Sequence, residues 1–177
     1  MPVNAENILI TGYPGVGKTT LITRLARTMM KNSPIGFYTT EIRERGLMQG
    51  FELISLDGRR GLLAHVDIKS PLHVGRYGVD VPGFEKIVEG IDFFGAGSPY
   101  VIIDEIGKMD CLSPRFCHIV LNLLDSDKTL IATVAYKGPA FITDIKKRRD
   151  VLLMEMQSEN ANNVFTAILR EITIEPD

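Results

Sequence analysis

Residues 10–21 read "ITGYPGVGKTTL", three glycines, a proline and a lysine followed by two threonines. Upstream, the apolar "NILIT" (7–11) predicts a short strand. Downstream, Leu21, Ile22, Leu25, Ala26 and Met29 recur at helical spacing until "KNSP", where Pro34 forbids continuation. The order is therefore strand, glycine loop, helix. Gly12, Gly17, Lys18 and Thr19 fit the phosphate-loop pattern G-x-x-x-x-G-K-S/T, filled by Tyr13, Pro14, Gly15 and Val16 and followed by Thr20. That chemistry requires these residue types. Glycines let backbone N–H groups turn inward around a phosphate, and the following helix offers its positive N-terminal end. Lys18 would neutralise β and γ oxygens, and the Thr19 hydroxyl would ligate Mg²⁺. The loop reads as a cradle for ATP or another nucleoside triphosphate.

Such a cradle needs an acid at the tip of a buried strand, and "YVIIDE" (100–105) supplies it. The run is continuously apolar, as in strands of a parallel sheet covered on both faces, and ends in two carboxylates. Asp104 is placed to hold Mg²⁺ through water, and Glu105 to orient and deprotonate an attacking water. The pair argues for hydrolysis. No "NKxD" run is present, so guanine specificity has no support.

The remaining elements alternate between the two classes. "IGFYTTEIR" (35–43) reads as a strand, and two apolar runs around Asp57-Gly58 predict a hairpin with a type I′ turn. Residues 67–82 predict a surface connection ending in a short strand. Pro82 opens a helix striped by Phe84, Ile87, Val88, Ile91 and Phe94, and Ser113-Pro114 opens another. "TLIATVAY" (129–136) and "VLLMEM" are further strands, with helices at 139–148 and 159–172. Alternating strands and helices predict an α/β fold: a mostly parallel sheet with right-handed crossovers and helices on both faces, in one unit spanning 1–177.

Composition narrows the partners. Net charge is −2 among 177 residues, so no general basic field recruits nucleic acid. No apolar run reaches membrane-spanning length and no signal segment opens the chain, predicting a soluble, cytoplasmic protein with Cys111 and Cys117 reduced. The histidines His65, His73 and His118 are scattered. Candidates for a cation that offsets γ-phosphate charge in the transition state are Lys108, Arg43 and Arg76. Thr133 is either a polar sensor near the nucleotide or a β-branched filler. "KKRRD" (146–150) reads as a solvated charge run at a helix end.

Taken in order, "ITGYPGVGKTTL", "GFYTTEIRERG" (36–46), "GFELISLDG" (50–58), "GRYGVDV" (75–81) and "VIIDEIGKMD" (101–110) resemble the small nucleoside-triphosphatase family of archaea, thermophilic bacteria and animals. The resemblance runs over nearly the whole chain. It implies a three-layer, RecA-like, additional-strand P-loop core that is also similar to nucleotide kinases. It further implies Mg²⁺-dependent hydrolysis of ATP, GTP and other triphosphates with broad base tolerance. Gly12 to Thr20 would lie on the phosphates and residues 104–109 would face them. The chain departs from that pattern in "KMDCLSPRF", in "ATVAYKGP" and in "SENANN". Two other readings share the same residues. A nucleotide or nucleoside kinase would bind an acceptor near 67–82 or 137–150, and an ATP-operated switch would use slow hydrolysis to time binding to a protein partner.

Overall fold

A computed structural model describes residues 7–172. The ends of the expected 1–177 unit lie outside the described residues. The strands are β1 Asn7–Thr11, β2 Ile35–Glu44, β3 Leu47–Ser55, β4 Arg60–His65, β5 His73–Val74, β6 Tyr77–Val79, β7 Tyr100–Ile106, β8 Thr129–Val134 and β9 Val151–Glu155. The helices are α1 Lys18–Thr28, α2 Val81–Glu89, α3 Pro114–Leu124, α4 Ala140–Lys146 and α5 Ala161–Glu171.

All nine strands share one sheet, ordered β5-β6-β4-β3-β2-β7-β8-β1-β9. Five of them, β2, β7, β8, β1 and β9, pair in parallel. Strand β8 stands between the loop-bearing β1 and the acid-bearing β7, which is the additional strand of a RecA-like core. The hairpin expected around Asp57-Gly58 extends the sheet further, because β3, β4, β6 and β5 continue it in antiparallel pairs.

Side-chain alternation along the central strands makes the three layers. Leu9, Val101, Ile103, Leu130 and Ala132 face the cluster that includes Phe84 and Val88 of α2 and Phe116 and Val120 of α3. Ile8, Ile10, Ile102 and Ile131 face the other way, onto Leu21, Ile22 and Leu25 of α1 and Phe165, Ile168 and Leu169 of α5. Ser113 Oγ accepts from Phe116 N at 3.0 Å and so caps α3 where the sequence expects it.

Three local expectations are corrected. The turn after β3 is not type I′: Gly58 alone has positive φ, 94°, and Gly58 N donates to Ser55 O at 3.0 Å. That is a type I turn followed by one left-handed residue, a three-residue loop. The type I′ dihedrals belong instead to Arg45 (φ 48°) and Gly46 (φ 81°), between β2 and β3. Helix α2 opens one residue before Pro82, with Asp80 Oδ1 accepting from Gly83 N at 3.0 Å, and ends at Glu89. Beyond it Phe93 is buried and Phe94 is 51% exposed, so the apolar stripe does not continue as helix. The connection at 67–82 ends in the small β5-β6 hairpin rather than in a single strand.

Gly36, on β2 against β7, has φ 140°, and a Cβ there would lie 1.8 Å from Ile102 O. Strand pairing at the parallel centre therefore admits no side chain at 36. Gly36→Ala should lower unfolding stability by about 3 kcal/mol, the upper end of typical over-packing costs; urea melts of both proteins measure it.

Candidate functional site

The loop between β1 and α1 sits at the carboxyl edge of the parallel strands, where open α/β sheets place their ligands. Gly17 stands at the N-cap of α1 with φ 98°, a left-handed conformation that turns the backbone into the helix. Lys18 is folded over the loop, its Nζ donating to Gly12 O at 2.8 Å and Tyr13 O at 3.3 Å. The ammonium is thereby aimed at the volume the loop encloses.

Asp104 is fully buried at the end of β7. Thr19 Oγ1 donates to its Oδ2 at 2.9 Å, and Thr133 Oγ1 donates to its Oδ1 at 2.5 Å. Thr133 thus acts as a polar partner of the acid from the neighbouring strand and is more than a filler. Burial pushes the Asp104 carboxyl up, against the pull of these hydroxyls, the Thr39 N–H and the Lys18 charge. The peptide bond from Asp104 to Glu105 is cis. Glu105 is also pushed up by burial and by Asp104, while Lys18 and Lys146 pull it down. A carboxylate raised in this way is better matched to accepting a proton near neutral pH.

Both ends of this arrangement open into one cleft of about 950 Å³. Tyr13, Pro14, Gly15, Gly17, Lys18, Thr19 and Thr20 line it on one side, and Glu105, Lys108 and Asp110 on another. Lys108 is exposed within it, so it stays available as the candidate cation. Arg43 does not line the cleft itself but is bound to Glu41 Oε2, a residue of its wall, at 2.6 Å and to Gly46 O at 3.3 Å beside the β2-β3 turn. Arg76 is held on the O of Met48, another residue of that wall, and over the Tyr77 ring. The structure does not bring either arginine to the loop.

Several site residues escape sequence reasoning. Lys146, read as part of a solvated run, turns inward to Ala135 O at 2.7 Å and Tyr136 O at 3.0 Å, and its charge acts on Glu105. Its signal was its place in helical register after Ile142 and Ile145, both buried. Arg148 fits the solvated reading, paired with Asp125 and Asp150 at 2.6 Å each. Tyr13 stacks on Tyr136 with ring centroids 4.2 Å apart, a pairing between loops 123 residues apart in "GYPG" and "AYKG" that no local pattern announces. Cys111 and Cys117 are free, and burial pushes both thiols up.

Asp110 is the third buried acid. Its Oδ2 accepts from Gly107 N at 3.2 Å, and its Oδ1 has no partner. Burial, reinforced by the Glu105 charge, pushes it up to about 8. Below that value the folded protein keeps Asp110 protonated, whereas the unfolded chain releases the proton near the ordinary 3.8. Stability contributed by this group is therefore full at acid pH and declines as pH rises from about 4 to 8. Asp110→Asn should flatten that decline, which urea midpoints of both proteins at pH 5 and pH 8 will show.

The NTPase family model matches residues 7–169. The nucleoside-triphosphatase THEP1 of Thermotoga sp. (strain RQ2) is 44% identical over 163 residues, covering 92% of this chain and 92% of the relative. The human cancer-related nucleoside-triphosphatase is 36% identical over 182 residues, covering 93% and 95%. The crystal structure of THEP1 from the hyperthermophile Aquifex aeolicus superposes with a TM-score of 0.82 at 31% identity, over 93% of this chain and 97% of that one. No helix among the described residues is long and apolar enough to cross a membrane. With a phosphate loop, a buried strand-end acid and an additional strand between them, matched along nearly its whole length, the chain belongs to the NTPase family.

Proposed function

We propose that this chain hydrolyses nucleoside 5′-triphosphates to diphosphate and inorganic phosphate, accepting ATP, GTP, CTP and UTP. The observation that carries the reading is the contact of Thr19 with Asp104 at 2.9 Å, which joins the phosphate loop to the strand whose next residue is Glu105. Relatives named nucleoside-triphosphatase support hydrolysis of nucleoside triphosphates.

A Mg²⁺ ion fits the donor set, since a hydroxyl and a carboxylate are both hard oxygen ligands. Thr19 and Asp104 would hold it, and when bound it neutralises charge on the β and γ oxygens. The chain's own groups do the rest. Loop N–H groups and the N-terminal end of α1 bind the phosphates. Lys18 exchanges its hydrogen bonds to Gly12 O and Tyr13 O for phosphate oxygens. Thr133 keeps Asp104 oriented from β8. Glu105 accepts the proton of a water aligned with the γ-phosphorus, and the proton then leaves through the open cleft. Lys108, exposed in the same cleft, offsets the charge that develops on the leaving and transferred oxygens.

Phosphate release from the four triphosphates with Mg²⁺, and with the metal chelated, tests this reading. All four should turn over with Mg²⁺ and none without it. Glu105→Gln should lower kcat by about 10²–10⁴ while nucleotide still binds. In the wild type, kcat should rise with pH along a limb displaced above the ordinary glutamate range, because the active form is the carboxylate and burial has raised it. Turnover by Glu105→Gln equal to wild type would remove Glu105 from the role of base.

A further inference from the structure

The cleft extends past the loop and Glu105, and its two ends differ. Beyond Glu105, its wall passes from Thr39, Thr40 and Glu41 on β2 to Met48 and Phe51 on β3, Leu63 on β4 and Val74 on β5. The apolar part is an annex built on the antiparallel half of the sheet. Among the described residues, Thr39 carries no side-chain hydrogen bond to the protein, and its place on β2 opposite Leu53 puts it on the face of Phe51 and Leu63, so its hydroxyl remains available where the annex meets Glu105.

Strand order decides what the annex can receive. The loop leaves β1, and Glu105 lies on β7, two strands away across β8. At about 4.8 Å per strand, the two strand axes stand roughly 10 Å apart, and Thr19 and Lys18 close that gap from the loop side. Strand β3 lies another two strands on, on the far side of Glu105 from the loop. A γ-phosphate in reach of Glu105 leaves the α-phosphate and nucleoside trailing back over the loop, toward β1 and β9. The annex is then vacant of nucleotide and lies on the face of the γ-phosphorus opposite the leaving group, where an in-line attacking oxygen must stand. Water needs no apolar chamber there. A small organic alcohol with an apolar body does, its body against Met48, Phe51 and Val74 and its polar edge on Thr39.

We propose that the annex is a second-substrate site and that this chain also transfers the γ-phosphoryl group to such an alcohol in place of water. The alcohol oxygen forms the new bond to the γ-phosphorus as the bond from that phosphorus to the β,γ-bridging oxygen breaks. The hydroxyl proton passes to the Glu105 carboxylate and then to solvent, and nucleoside diphosphate leaves with a phosphomonoester as the second product. The proposal rests on Glu105 being the base described above, and it adds an acceptor to that same centre.

The test uses the full chain with ATP and Mg²⁺, and benzyl alcohol as the probe at millimolar concentration. Phosphorus NMR separates the phosphomonoester from inorganic phosphate, and methyl-labelled methionine reports binding at Met48. The expected result is a phosphomonoester signal absent from the enzyme-free control, together with a benzyl alcohol-dependent shift of the Met48 methyl. Met48→Glu, which places a charge on the partly exposed wall, should lower the ratio of phosphomonoester to phosphate by about tenfold or more. No phosphomonoester from the wild type overturns the proposal, with or without a Met48 shift, and so does a ratio that Met48→Glu leaves unchanged. Phosphate release without ester leaves hydrolysis standing alone. Ester formation by a protein that releases no phosphate in alcohol-free buffer supports the acceptor site and overturns hydrolysis instead.

Discussion

The whole arrangement depends on keeping the Asp104 carboxylate inside the protein. A charge without access to water carries a desolvation cost of several kcal/mol unless donors surround it. Here the donors come from three places in the chain: the Thr19 hydroxyl at the start of α1, the Thr133 hydroxyl on β8, and the Thr39 N–H on β2. Each belongs to a different element, so satisfying one carboxylate fixes the mutual placement of loop, additional strand and outer parallel strand. Removing any of these donors leaves the acid underpartnered, which makes the polar site a determinant of sheet order as well as of chemistry.

Around that acid the charge balance is tight. Burial pushes Asp104, Glu105 and Asp110 all up, Glu105 and Asp110 are raised further by neighbouring acids, and Lys18 and Lys146 oppose the crowding at Glu105. A polyphosphate adds negative charge to the same cleft. Nucleotide binding therefore favours the entry of further positive charge, which explains in electrostatic terms why an oxygen-ligated cation suits the site. The inward turn of Lys146 belongs to the same balance: its carbonyl partners, Ala135 and Tyr136, hold the amine where it acts on Glu105.

What the sequence revealed was what is encoded locally. The loop from Gly12 to Thr20 carries its function in residue type and spacing, and "YVIIDE" announces both its burial and its acidic tip. Helical stripes and caps placed α1, α3 and α5 within a few residues. The losses came where distant segments decide. Arg43 lies within β2, one residue before its end, and Glu41 two residues earlier takes its guanidinium as partner beside the β2-β3 turn. Phe94 fits a helical stripe, but the helix stops at Glu89 and Phe93 takes the buried position. Thr133 and Lys146 became interpretable only when β8 came to rest beside β7 and α4 folded back over its end. The annex walls are contributed by four strands, and no single stretch records their meeting.

The order of strands also fixes how the chain must assemble. The antiparallel half closes through short turns, β2 to β3 over Arg45-Gly46 and β3 to β4 over Leu56 to Gly58, so its contacts are local and form on the timescale of hairpins. The parallel half is the opposite case: Asn7 at the start of β1 accepts from Leu130 N across 123 residues, and no pairing of β1 can form until most of the chain exists. During synthesis β1 waits, an apolar strand without neighbours, while the antiparallel meander is already complete. The phosphate loop that follows β1 is consequently translated well before it acquires its shape.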